Sequence, residues 1–184
     1  GVAGRAFNVT YAFRSEAPIN MPDDTTGFSR FSAAQIAQAE RAMQAWSDVA
    51  NITFTRVGGD GYSNNATMLF ANYSDGAEGA AAFANLPGST SVSSSSGDVW
   101  VNVSIGYNAS PTMGNYGGQV LVHEIGHAIG LTHPGDYDAG PDQTITYSKH
   151  AEYYEDSRQY TVMSYFAETN TGANFRGSYS AVPL

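Results

Sequence analysis

His123-Glu124-Ile125-Gly126-His127-Ala128-Ile129-Gly130-Leu131-Thr132-His133 places three imidazoles and a carboxylate within eleven residues. Read as a helix, the stretch puts His123 and His127 on one face, one turn apart. Two neutral imidazole nitrogens at that separation can grip a single Zn²⁺. Glu124 lies beside the first ligand and can lean toward a metal without binding it. Gly130 is the expected stop, because glycine adopts the left-handed conformation of a helix C-terminus at little cost. The chain then turns and returns His133 as a third ligand. Three protein ligands leave a coordination position open, as a catalytic zinc requires and a structural one does not.

Three of the four histidines in the chain fall in this stretch. The fourth, His150, reads as an ordinary surface residue. The chain has 184 residues, enough for one well-cored domain and short for two. Its formal charge is −9, and Lys149 is its single lysine. That balance argues against nucleic acid, which needs a basic face, and is read as solubility through self-repulsion. No apolar run reaches membrane-spanning length, and no charged-then-apolar leader opens the sequence. The start at Gly1 fits a processed form. With no cysteine there are no disulfides and no thiolate metal sites. Six Asn-x-Ser/Thr sequons, from Asn8 to Asn108, read as incidental in a chain rich in Asn, Ser and Thr.

Alternating Val9, Tyr11 and Phe13 predict a strand over Asn8 to Arg14. Ser32-Ala33-Ala34-Gln35 has the form of a capping box, and a helix should run from it to about Ala50 with Ile36, Met43, Trp46 and Ala50 as its buried stripe. Strands are expected at Asn51 to Val57, Thr67 to Tyr73 and Asp98 to Val103, with a shorter one over Ala80 to Leu86 ended by Pro87. Ser89 to Gly97 is a serine-rich loop. The helix carrying the histidines should span Tyr116 to Leu131, followed mostly by loops and turns. The acidic loop Asp136 to Asp142 lacks EF-hand spacing and reads as solvated rather than calcium-binding.

HExxHxxGxxH is the metzincin signature. Downstream, Thr161-Val162-Met163-Ser164-Tyr165 resembles the Met-turn of that group, in which Met163 forms an apolar floor beneath the metal rather than a ligand. Within the metzincins, His133-Pro134-Gly135-Asp136-Tyr137 and Glu155-Asp156-Ser157-Arg158-Gln159-Tyr160 resemble the serralysins. Asp98-Val99-Trp100-Val101-Asn102 and Ala82-Phe83-Ala84-Asn85-Leu86-Pro87 do so as well. Matrixins and reprolysins usually lack the Met-turn tyrosine, and astacins carry disulfides.

This resemblance implies an α+β domain over residues 1–184, a twisted mixed sheet over two long helices with a cleft along its edge. It implies a secreted bacterial zinc endopeptidase of broad specificity. His123, His127 and His133 are then the zinc ligands, Glu124 the general base, and Tyr165 an additional resting-state ligand that swings away to hydrogen-bond the reacting oxyanion. Ala80, Ala81, Ala82, Phe83 and Ala84 would form the edge strand that binds an extended peptide. Serralysins continue with a further helix and a glycine-aspartate repeat domain that binds Ca²⁺. Those parts are expected outside this sequence, so Ca²⁺ is not expected within it. Protein and peptide substrates are the implied partners, with a proteinaceous inhibitor or a C-terminal fragment of the same protein as further ones. Two other readings fit the same residues: an amidase or exopeptidase with the same zinc chemistry, and a binding domain that no longer turns over.

Overall fold

The computed structural model describes residues 4–22, 24–138, 140 and 143–184. In chain order the strands are β1 (Phe7–Phe13), β2 (Thr25–Thr26), β3 (Ile52–Arg56), β4 (Met68–Tyr73), β5 (Asp75–Gly76), β6 (Ala82–Ala84) and β7 (Val99–Asn102). The helices are α1 (Ala33–Val49), α2 (Gly106–Ala109), α3 (Tyr116–Ala128) and α4 (Tyr147–His150). Five strands form one sheet in the order β3-β1-β4-β7-β6. Four of them run parallel, and only β6, at the edge, is antiparallel to its neighbour β7. The expected mixed sheet over two long helices is therefore present.

Parallel strands need covering on both faces, and the burial follows that rule at β4 and β7, while edge strand β3 leaves Thr53 and Thr55 exposed. Central strand β4 is buried at all six positions. On one face Val9, Tyr11, Phe13, Met68, Phe70, Val99 and Val101 meet α1 and α3 through Ala39, Met43, Trp46, Leu121 and Ile125. On the other, Tyr73 and Trp100 pack with Phe83. A buried ion pair closes the far end, with Arg14 Nη2 at 2.7 Å from Asp98 Oδ2. Asp98 Oδ1 also accepts from the Leu69 amide at 3.0 Å. Burial outweighs the arginine and pushes the Asp98 carboxyl up to about 6.

Helix α1 begins at the expected capping box. Gln35 N donates to Ser32 Oγ and Ser32 N to Gln35 Oε1, at 3.3 and 2.9 Å. Its buried stripe is wider than the spacing suggested: Gln35, Gln38, Ala39 and Ala42 join Met43 and Trp46, while Ile36 and Ala50 stay partly exposed. Trp46 Nε1 donates to Val122 O at 2.9 Å and ties α1 to α3.

Helix α3 ends at Ala128, three residues before the expected Leu131. The reason is a Schellman motif. Gly130 N donates to His127 O and Leu131 N to Gly126 O, both at 2.9 Å, with Gly130 at φ +112°. Strand β6 is likewise shorter than Ala80 to Leu86. Left-handed residues at Ala77, Glu78 and Gly79 lead into it, and Ala80 N is taken by Ala77 O. The acidic loop beginning at Asp136 falls partly outside the described residues, Asp142 among them.

Gly126 faces the joint between α3, α1 and the segment around Met163. A Cβ there would lie 2.5 Å from Met163 Sδ and 3.0 Å from Trp46 Cζ2. Alanine at a helical position gains about 1 kcal/mol over glycine. Forcing a methyl into a packed core costs about 1–3 kcal/mol. Gly126→Ala should therefore lose up to about 2 kcal/mol in urea unfolding. A stabilised variant would show that this joint has room.

Candidate metal centre

Two segments deliver the three imidazoles. His123 and His127 rise from consecutive turns of α3, and His133 returns from the loop after the Schellman turn. Their Nε2 atoms form a near-equilateral triangle, with His123–His127 at 3.0 Å, His127–His133 at 3.1 Å and His123–His133 at 3.2 Å. These are not hydrogen bonds, because the other nitrogen of every ring is engaged with an atom that only accepts. His123 Nδ1 lies 2.8 Å from Val162 O, His127 Nδ1 2.7 Å from Leu131 O, and His133 Nδ1 2.8 Å from Tyr137 O. Each neutral ring must carry its proton on Nδ1. Three bare Nε2 lone pairs then converge on one point with nothing between them to donate.

A cation resolves that repulsion, and the spacing fits zinc. Two Zn–N bonds of tetrahedral geometry set their nitrogens about 3.3 Å apart. The outer carbonyls also supply the hydrogen bonds that metal-bound histidines characteristically make. Burial, and then the neighbouring imidazoles, lower the pKa of His123 to about 3, after its bond to Val162 is counted. His133 is lowered as well, again first by burial. Neutral, ligand-ready rings are the consequence. Among the described residues these three form the one group of His, Cys, Asp and Glu arranged to hold a metal ion. His150 is elsewhere, bonded to Thr146 at 3.1 Å.

Glu124 is buried on α3 next to the triangle. Burial first, then the charge of Asp138, pushes its carboxyl up to about 8. A dication at the triangle would act in the opposite sense and favour the carboxylate. Tyr165 lies over the other side, its ring 4.2 Å from that of His133 and 5.8 Å from that of His123. Its hydroxyl is 3.4 Å from Asp138 Oδ1.

Met163 is buried. Its turn is closed by Met163 N donating to Thr161 Oγ1 at 3.1 Å and Ser164 N to Thr161 O at 3.3 Å. The same turn provides the Val162 carbonyl that fixes the His123 ring.

Two contributors escaped the reading of the sequence. Tyr137 stacks on His133 with 11° between the planes, holds that ring through its carbonyl, and donates its hydroxyl to buried Asp156 at 2.8 Å. Both residues stood in the quoted segments, yet nothing in their spacing marked them as a pair. Of the five strand residues, the structure brings all to the wall of the centre or its cleft, but with different roles. Asn102 N donates to Ala81 O and Asn85 N to Asp98 O, so the odd-numbered residues bond to β7. Ala82 and Ala84 therefore turn their N–H and C=O groups to the open edge. Ala80 O is already occupied by Tyr73 Oη at 2.6 Å and Asn102 Nδ2 at 3.1 Å. An open cleft of about 1070 Å³ runs between this edge, Glu124, His127, His133 and Tyr165.

The matrixin family matches residues 8–158 of the chain. Serralysin A of Dickeya chrysanthemi is 45% identical over 185 residues, covering 100% of this chain and 37% of its own length. Metallopeptidase AprA of Pseudomonas marginalis is 48% identical, covering 96% and 37%. Serralysin of Photorhabdus sp. (strain Az29) is 43% identical, covering 97% and 36%. The chain thus spans little more than a third of the length of these relatives. The matrixin match stops before Thr161–Tyr165, the segment whose tyrosine set this sequence apart from matrixins, whereas the serralysin likeness runs through it. The chain belongs to the matrixin family and, within it, to the serralysin-type metzincin catalytic domains.

Proposed function

We propose that this domain is a zinc-dependent endopeptidase, acting outside the cell on internal bonds of proteins with broad sequence tolerance. The observation that carries the reading is the triangle of unprotonated Nε2 atoms, opening beside Glu124 onto a cleft with a free strand edge. Held by His123, His127 and His133, Zn²⁺ supplies Lewis acidity toward water and the scissile carbonyl. Tyr165 is proposed as a further ligand in the substrate-free state. No helix among the described residues is long and apolar enough to cross a membrane.

The chain's own groups divide the remaining work. Ala82 and Ala84 hold an extended peptide by main-chain hydrogen bonds, which ask little of its side chains and so favour broad specificity. Glu124 takes the proton of the attacking water and returns it to the leaving amine. Its burial suits this exchange, since a desolvated carboxylate is a stronger base than a hydrated one. Tyr165 donates its hydroxyl hydrogen bond to the developing oxyanion. The same cleft is the proposed seat of a proteinaceous inhibitor. Placement at the centre of an open cleft favours internal cleavage over the exopeptidase alternative, and the retained Glu124 disfavours a pure binding role.

Metal-free protein should take up one equivalent of Zn²⁺ by calorimetry, and Glu124→Gln should do so too while losing at least 10²-fold, about the contribution of a positioned base, in casein hydrolysis. Near wild-type turnover by the Gln variant would remove Glu124 from its role. Tyr165→Phe should lower kcat by about 10²-fold with KM little changed, and an unaltered kcat would contradict oxyanion donation. Ala84→Pro removes an outward N–H from an edge strand, where proline is tolerated. It should raise KM for long peptides severalfold with the thermal midpoint nearly kept. An unchanged KM would mean that substrate does not pair with β6.

A further inference from the structure

A second, smaller cavity of about 320 Å³ opens beside the metal centre. One wall is the approach to β6 with its first residue (Ala80 to Ala82), another the first turn of α3 (Tyr116, Gln119), with Glu124 and Tyr165 beside them. Arg158 lines it as well. This guanidinium differs from two others in the chain. Arg14 and Arg56 pair with carboxylates, Asp98 at 2.7 Å and Glu40 at 2.9 Å. Arg158 has no carboxylate within ion-pair distance among the described residues, and its Nε is buried without a hydrogen-bond acceptor. Its Cζ rests 5.8 Å from the centre of the Tyr179 ring, which supports the cation without neutralising it. In the same cavity Gln119 Oε1 is also buried and unpaired.

Unpaired buried polar atoms cost free energy, and Arg158 Nε, a donor on a charged group, calls for an acceptor in this cavity. The cavity adjoins the reacting centre on the N-terminal side of β6. A peptide paired antiparallel with β6, the more stable pairing, runs from Ala84 toward Ala80. The cavity then receives the residue just after the bond to be cut. Resting on the endopeptidase reading above, we propose that Arg158 selects an acidic side chain at that position, with the Gln119 amide turning to present its Nε2 as a second donor.

Position matters because the rest of the cleft repels acids. Asp24, Glu78, Asp136 and Asp138 line the larger groove, and the whole chain carries −9. Arg158 provides a local positive charge where a carboxylate can form charge-assisted hydrogen bonds instead. The cavity's placement against Ala80 to Ala82 confines this preference to a single substrate residue.

The test uses three peptides identical except for Glu, Gln or Leu after the cleaved bond. With the Zn²⁺-loaded protein, kcat/KM for Glu should exceed that for Gln by about 10-fold or more, the scale of a hydrogen bond to a charged group. Arg158→Gln should bring that ratio close to one, and Arg158→Lys, which keeps the charge but not the fork, should retain part of it. Melting curves of both variants check folding, and the wild-type ratio tests the proposal without either. A ratio at or below one in the wild type, or one unchanged in Arg158→Gln, would overturn it. So would an acidic preference confined to the residue before the cleaved bond. Binding of the same peptides to Glu124→Gln protein, followed by fluorescence anisotropy, separates this proposal from the function beneath it. Tighter binding of the Glu peptide without cleavage by the wild type would refute the endopeptidase and leave the Arg158 pocket standing. Equal Kd values would refute the pocket even if all three peptides were cut.

Discussion

Three backbone carbonyls, those of Leu131, Val162 and Tyr137, decide what this domain can bind. Each accepts the proton on Nδ1 of one histidine at 2.7–2.8 Å and so leaves that ring's Nε2 lone pair bare. Converging lone pairs about 3 Å apart repel, and a cation is what makes the arrangement favourable. Histidine residues at the right spacing would not be enough. Without the carbonyls each ring could rotate or exchange tautomers, and the triangle would dissolve into ordinary hydrogen bonds.

The fold can be read as the means of placing those carbonyls. The Leu131 carbonyl follows from the Schellman turn at Gly130, which ends α3 early and folds the chain back over His127. The Val162 carbonyl comes from the Thr161–Ser164 turn, pinned from behind by Val162 N donating to Pro183 O at 2.7 Å. Tyr137 is fixed by stacking on His133 and by its bond to buried Asp156. Met163 and Gly126 bring the turn against α3, and Trp46 brings α1 against both. Packing of the main core and orientation of the ligands are thus one structure, so a methyl added at Gly126 is felt at both.

Much of this was legible in the sequence. The eleven-residue motif gave the three imidazoles that converge, Gly130 gave the stop, and Ser32–Gln35 gave the start of α1. Alternation located β1, and strand-like runs bounded by turn residues located β3, β4 and β7, to within a residue or two. Backbone acceptors left no such trace, because a carbonyl belongs to every residue and only its direction matters. The same limit applies along Ala80 to Ala84. Five similar small or apolar residues conceal that only Ala82 and Ala84 present free main-chain groups, a distinction set by register with β7. Arg158 was visible as part of a family-like run, but its cavity, and its lack of a carboxylate partner among the described residues, arise from folding distant segments together.

In the proposed metal centre zinc is held by three Nε2 atoms whose rings keep their protons on Nδ1 through backbone carbonyls. Long-range ¹H–¹⁵N correlation of the imidazoles in the Zn²⁺-loaded protein reads this directly. His123, His127 and His133 should each show a protonated Nδ1, slow to exchange for the buried His123, and an Nε2 shifted as a metal-bound nitrogen. A proton on Nε2 of any of the three, or metal on Nδ1, would contradict the account.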